Sequence, residues 1–172
     1  MAQERPEAFN FWGPKTLVGP ELKPGDAAPA FSLIDGKGET VGSEAFAGKP
    51  ALISVVPSLD TGVCSIQTRR FDKEIEQFVG QISLITVSAD LPFAQTRWVN
   101  AEGVEHVTVL SDHRDMSFGD AYGTHVKEVR LDSRAVFVVD GQGVIRYAEY
   151  VPVAGSEPNY EAALEAVKSV VA

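Results

Sequence analysis

The chain has a single thiol, Cys64, and the residues around it make that thiol a candidate nucleophile. The stretch Pro57-Ser58-Leu59-Asp60-Thr61-Gly62-Val63-Cys64 separates two segments of opposite character. Upstream, Ala51-Leu52-Ile53-Ser54-Val55-Val56 is a short apolar run rich in β-branched residues, the pattern of a fully buried strand. Downstream, Ile66, Phe71, Ile75, Phe78 and Val79 recur near helical spacing, with Arg69, Arg70, Lys73, Glu74 and Glu76 between them. Pro57 ends the strand ladder because it has no N–H to donate. Asp60, Thr61 and Gly62 are turn and N-cap types, so Cys64 is expected in the first turn of a helix.

A helix start leaves N–H groups without intrahelical acceptors and gathers partial positive charge, which favours a thiolate over a thiol. The thiolate is the nucleophilic form. The dipole supplies about 0.3–1 kcal/mol, whereas each tenfold gain in thiolate population needs about 1.4 kcal/mol. A cation is therefore wanted near the sulfur. A lone cysteine is also a common small core residue, and placement alone leaves both readings open.

The P-x-x-x-T-x-x-C spacing of Pro57, Thr61 and Cys64 resembles the active-site signature of the peroxiredoxins. The whole octapeptide is similar to that of their bacterial thiol peroxidase branch. Further matches are Ser88-Ala89-Asp90-Leu91-Pro92-Phe93-Ala94-Gln95, Ala101-Glu102-Gly103, Arg134-Ala135-Val136 and Pro158-Asn159-Tyr160-Glu161-Ala162-Ala163-Leu164, so the likeness runs from about Thr16 to Leu164.

This resemblance implies a reaction. Cys64 attacks the terminal oxygen of hydrogen peroxide or an organic hydroperoxide, water or an alcohol leaves, and a sulfenic acid forms on the sulfur. It implies that Arg134, an arginine at the start of a strand, lies against the thiol, where its planar fork stabilises the thiolate and orients the peroxide. Thr61 is implied to hydrogen-bond between sulfur and peroxide, and its type also suits a helix cap. Pro57 is implied to shape the loop and screen the sulfur from water. No metal, haem or flavin is required, and a homodimer is expected by analogy.

One departure stands out. In this branch a second, resolving cysteine commonly ends the segment that here reads Arg97-Trp98-Val99. A valine cannot attack a sulfenic acid, so reduction is expected from a thiol supplied in trans, thioredoxin or a low-molecular-weight thiol. The alternative is a peroxide-sensing or binding protein that kept the reactive thiol and lost turnover. A Cys–His hydrolase would need a histidine beside Cys64. His106, His113 and His125 show no metal spacing and read as surface residues.

The elements that must hold these residues follow from pattern. Phe9–Val18 reads as a hairpin around Gly13-Pro14, after a polar start expected to be frayed through residue 8. Phe31–Ile34 and Glu39–Val41 flank the turn Asp35-Gly36-Lys37-Gly38 as a second hairpin, and Ser43 opens a short turn of helix. After the strand at Ala51–Val56, a helix is expected from about Val63 to Val79. Next come a strand at Ile82–Ser88, a helix from Phe93 to Ala101 opened by Pro92 and closed by Gly103, a strand at Val107–Leu110 and a short helix at Ser117–Tyr122. Ala135–Val139 and Val144–Tyr150 form a hairpin over Asp140-Gly141-Gln142-Gly143, and Asn159–Val171 is a closing amphipathic helix. Alternating strands and helices make an α/β fold with a mixed central sheet flanked by helices. The order is similar to the thioredoxin fold with an added N-terminal hairpin, a single domain over residues 1–172.

Composition fits this. An apolar content of 44% can fill one core at this length. The net charge of −9, spread without single-sign blocks, argues against unspecific nucleic-acid binding. No secretory leader pattern and no apolar run of membrane-spanning length is visible, so a cytoplasmic protein without membrane contact is expected.

Overall fold

The computed structural model describes residues 2–171. Its centre is a seven-stranded sheet in the order β11-β10-β5-β6-β7-β3-β4. β5 (Ala51–Val55), β6 (Ser83–Ser88) and β7 (Val107–Ser111) run parallel, whereas β10 (Arg134–Val139) lies antiparallel to β5 and β11 (Ile145–Val151) antiparallel to β10. β3 (Ser32–Ile34) joins β7 antiparallel and pairs with β4 (Thr40–Gly42). The mixed sheet is the one expected from the sequence.

β5 is apolar on both sides because both faces of the sheet are covered. Its alternate residues divide between two cores. Leu52 packs with Leu84, Val136 and Val138 beneath Phe71 and Ile75 of the first helical segment and Tyr160, Ala163 and Val167 of the last. Ile53 and Val55 pack with Ile85, Val87 and Phe137 against Phe118 and Tyr122. The helices are α1 (Gly62–Glu74), α2 (Pro92–Glu102), α3 (Ser117–Tyr122) and α4 (Tyr160–Val171). The expected helix to Val79 is two pieces, since a 3-10 turn takes over at Ile75–Phe78. Gly103, at φ 66°, closes α2 in the left-handed conformation that glycine adopts without penalty.

A second sheet, β1-β2-β8-β9, lies at the N-terminus. Its hairpin of β1 (Glu4–Asn10) and β2 (Pro14–Val18) is the expected one, but β1 begins at Glu4 where a frayed end was expected through residue 8. Arg5 accounts for the difference. Its guanidinium donates to the carbonyls of Gly19 and Gly123 and sits over the Tyr150 ring, which ties the strand down. β8 (His125–Val126) and β9 (Leu131–Asp132) have no counterpart in the sequence reading, because two-residue strands show no periodicity.

β9 leads into β10 past a buried carboxyl pair. Asp132 accepts from the Thr124 hydroxyl at 2.8 Å, and Asp112 accepts from the N–H groups of Phe118 and Gly119 at 3.1 and 2.8 Å. Burial raises Asp112 to about 6, and burial together with the Asp112 charge raises Asp132 well above the usual carboxylate range. The folded chain therefore keeps protons that the unfolded chain releases near pH 4. Stability falls as pH rises from there through 6 and beyond, since the native state binds more protons than the unfolded one. Asp132→Asn keeps an acceptor for Thr124 and adds a donor for Asp112. Urea midpoints should show this variant gaining on the parent at pH 8 and not at pH 4.5.

Candidate active site

Cys64 lies in the first turn of α1, as expected, and is fully buried. The helix starts there because Thr61 is extended (φ −101°, ψ 150°) and its carbonyl accepts the first helical bond from Ser65 at 3.0 Å. The N–H groups of Gly62, Val63 and Cys64 precede that bond and have no acceptor within the helix. The sulfur's apolar neighbours are Val56, Leu59 and Trp98.

Arg134 enters from β10, 70 positions later in the chain, and places Nη2 3.3 Å from the Cys64 sulfur. Its other donors are used as well. Nη1 donates to Gln67 Oε1 at 2.9 Å, while Nε and Nη2 donate to the Ala154 carbonyl at 3.1 and 2.6 Å. Gln67 passes the restraint on, donating from Nε2 to Ser54 Oγ at 2.8 Å. Arginine can only donate, so it fixes which end of the Gln67 amide faces it. Arg134 is 1% exposed, yet its hydrogen-bond partners are an amide, a carbonyl and a sulfur. A buried cation without an opposite charge is costly, and Cys64 is the one ionisable group among those partners.

Thr61 is exposed, and its hydroxyl donates to the Ser58 carbonyl at 3.0 Å. It makes no side-chain cap of α1. With its proton committed there, the hydroxyl presents lone pairs to a third party. Pro57 is buried at the end of β5. The four residues singled out from sequence, Pro57, Thr61, Cys64 and Arg134, thus belong to one strand–loop–helix junction and the strand beside it.

Gln67, Ser54 and the Ala154 carbonyl were not legible as site residues. Gln67 falls one helical turn after Cys64, on the same face, which is the only signal the sequence offers. Ala154 contributes backbone alone. It is held by the N-terminal hairpin, since Asn10 N–H donates to the Pro152 carbonyl at 2.8 Å and Ala154 N–H donates to the Asn10 carbonyl at 3.0 Å. Val99 is half-buried on α2 and packs against the apolar group around Cys64. His106, His113 and His125 are half-buried instead of exposed, His125 through a 2.7 Å contact with Asp120, and Cys64 is not among their hydrogen-bond partners.

A thiol at the mouth of the first core helix, paired with a buried guanidinium on this sheet, defines a thiol-based oxidoreductase of thioredoxin-like fold. The family model described as Redoxin matches residues 23–164. The chain is 52% identical over 159 residues to the thiol peroxidase of Bacillus subtilis (strain 168), covering 92% of this chain and 95% of that one. It is 47% identical over 158 residues to the thiol peroxidase of Staphylococcus aureus (strain MRSA252), with 92% and 95% covered. Among solved structures, a peroxiredoxin-like protein from Aquifex aeolicus superposes with a TM-score of 0.88 at 34% identity over 95% of this chain and 97% of that one. The chain belongs to the redoxin family and, within it, to the peroxiredoxins of the bacterial thiol peroxidase branch. It is a thiol-dependent peroxidase, with a peroxide as substrate and a thiol as reductant.

Proposed function

We propose that Cys64 is the peroxidatic residue and that Arg134, Thr61 and Pro57 complete its site. The observation behind this is the 3.3 Å contact between a buried guanidinium and the single thiol. The Cys64 thiolate attacks the terminal oxygen of ROOH, the O–O bond breaks, and the leaving RO⁻ takes up a proton to give water or an alcohol. Arg134 and the free N–H groups of the first turn of α1 stabilise the charge that shifts onto the oxygens. The Thr61 hydroxyl accepts from the peroxide O–H while donating to Ser58. Pro57 closes the loop against water.

The sulfur leaves this step as sulfenic acid, Cys64–SOH. With valine at position 99 and no second cysteine in the chain, the next thiol comes from outside. An external R′SH attacks the sulfenic sulfur, water leaves and a mixed disulfide forms. A second R′SH displaces Cys64 and carries both electrons' worth of oxidation away as R′S–SR′. Thioredoxin and low-molecular-weight thiols fit this role.

Without added thiol, one equivalent of peroxide should be consumed per chain and the product should react with dimedone, giving one adduct by mass spectrometry. Consumption of many equivalents under those conditions would refute the external reductant. A homodimer fits the apolar side chains left exposed at Trp12, Leu91 and Phe93. Sedimentation of the parent and Phe93→Asp tests it. No helix among the described residues is long and apolar enough to cross a membrane, and a cytoplasmic site of action suits a thiol-reduced enzyme.

A further inference from the structure

We infer that Phe9, on the N-terminal hairpin, is a positioning residue for the peroxidase reaction, because it seats the Ala154 carbonyl that aims Arg134 at Cys64. The inference rests on Cys64 and Arg134 acting as proposed above. The hairpin of β1 and β2 stands apart from the seven-stranded sheet, and its side chains belong to none of the three apolar clusters around that sheet. It has a small cluster of its own. Phe9, Leu17 and Val126 are buried in it, and Ala154 packs against them.

The segment that follows β11 takes its place from this hairpin. Val153 bridges Asn10 in parallel, with the Asn10 N–H donating to the Pro152 carbonyl at 2.8 Å and the Ala154 N–H donating to the Asn10 carbonyl at 3.0 Å. Ala154 is thus held on the hairpin by its N–H and its methyl group. Its carbonyl accepts from Nε and Nη2 of Arg134, at 3.1 and 2.6 Å.

The guanidinium is therefore gripped at two edges. Gln67 of α1 holds Nη1, and Ala154 holds the edge formed by Nε and Nη2. Nη2 is also the atom 3.3 Å from the Cys64 sulfur. A planar fork held at one edge can still swing about that contact, and a grip on the second edge removes this freedom. Arg134 is 1% exposed, so its charge stays beside the sulfur even if the fork swings. What a loosened hairpin costs is direction, the alignment of the donor with the reacting oxygen. Damage at Phe9 should slow oxidation only through Arg134, whereas a general loss of stability would act whether or not Arg134 is present.

The test is a double-mutant cycle on the full-length reduced protein, with Phe9→Ala and Arg134→Met made singly and together. Arg5 still ties β1 to the carbonyls of Gly19 and Gly123 in every variant. Stopped-flow tryptophan fluorescence gives the second-order rate of oxidation by hydrogen peroxide. Phe9→Ala should slow oxidation by about tenfold in the parent, since a small misplacement of an aligning group is costly. In the Arg134→Met background the same change should slow it by less than about twofold. If Phe9→Ala does not fold, Phe9→Leu, which keeps most of the volume, should slow the parent by about threefold and Arg134→Met not at all. Equal slowing in both backgrounds, or no slowing in the parent, would overturn the role of Phe9. Both results leave Arg134→Met slow. An Arg134→Met protein that reacts at the parent rate would instead defeat the reading of the site on which the inference stands.

Discussion

Cys64→Ser should lose peroxidase activity by at least about 1,000-fold while remaining folded, because nothing left in the site can replace the sulfur. Serine is nearly isosteric and keeps a hydroxyl within reach of Arg134. That hydroxyl is not ionised at neutral pH, and activating it requires a general base. The His125 ring contacts Asp120 and the His106 ring faces Glu76 at 3.9 Å, and no histidine ring is among the hydrogen-bond partners of the Cys64 sulfur. Gln67 and Ser54, the polar side chains nearest in the network, do not titrate. Steady-state turnover with a thioredoxin system, and with a small dithiol, should fall together. A variant retaining a tenth of parent activity would place the chemistry elsewhere.

The second large effect is at Arg134. Arg134→Met should slow oxidation by hydrogen peroxide by about 100- to 1,000-fold, of the size seen when one charge-stabilising donor is removed. Stability should change much less than activity, because two effects oppose one another. Removing a buried cation relieves its desolvation. It also leaves Gln67 Oε1 and the Ala154 carbonyl without their donor, at about 1–3 kcal/mol each. Arg134→Lys keeps the charge but not the fork, so one ammonium cannot serve Cys64, Gln67 and Ala154 at once. It should recover part of the oxidation rate. Stopped-flow rates, denaturation midpoints and the thiolate absorbance near 240 nm separate the three quantities. If the methionine variant reacts at the parent rate, the guanidinium is only a packing residue.

Much of the site's chemistry is legible in the sequence through local signals. The β-branched run before Pro57 and the capping types before Cys64 marked a strand–loop–helix junction without any long-range information. Arg134 was harder. An arginine at a strand start is ordinarily solvated, and only the family likeness of Arg134-Ala135-Val136 assigned it to the thiol. The hydrogen bonds that aim it were not legible at all. Gln67 looks like any polar helix residue, and the Ala154 carbonyl is a backbone group whose identity no side chain announces. β8 and β9 were missed for the same reason, since pairing of two residues with a distant hairpin leaves no periodic trace. Thr61 shows the limit in the other direction. Its type fits a cap, yet the hydroxyl donates to the Ser58 carbonyl and does not cap α1. On the proposed mechanism, the uncapped N–H groups of the first turn of α1 are the donors a peroxide oxygen uses.

The route by which Arg134 is held has a consequence for how the protein is made. Synthesis delivers Cys64 first, Arg134 seventy residues afterwards and Ala154 another twenty after that. Ala154 in turn docks on Asn10, from the opposite end of the chain. On the proposed reading of Cys64, its guanidinium partner is held in place only once residues from near both ends of the chain have docked on one another.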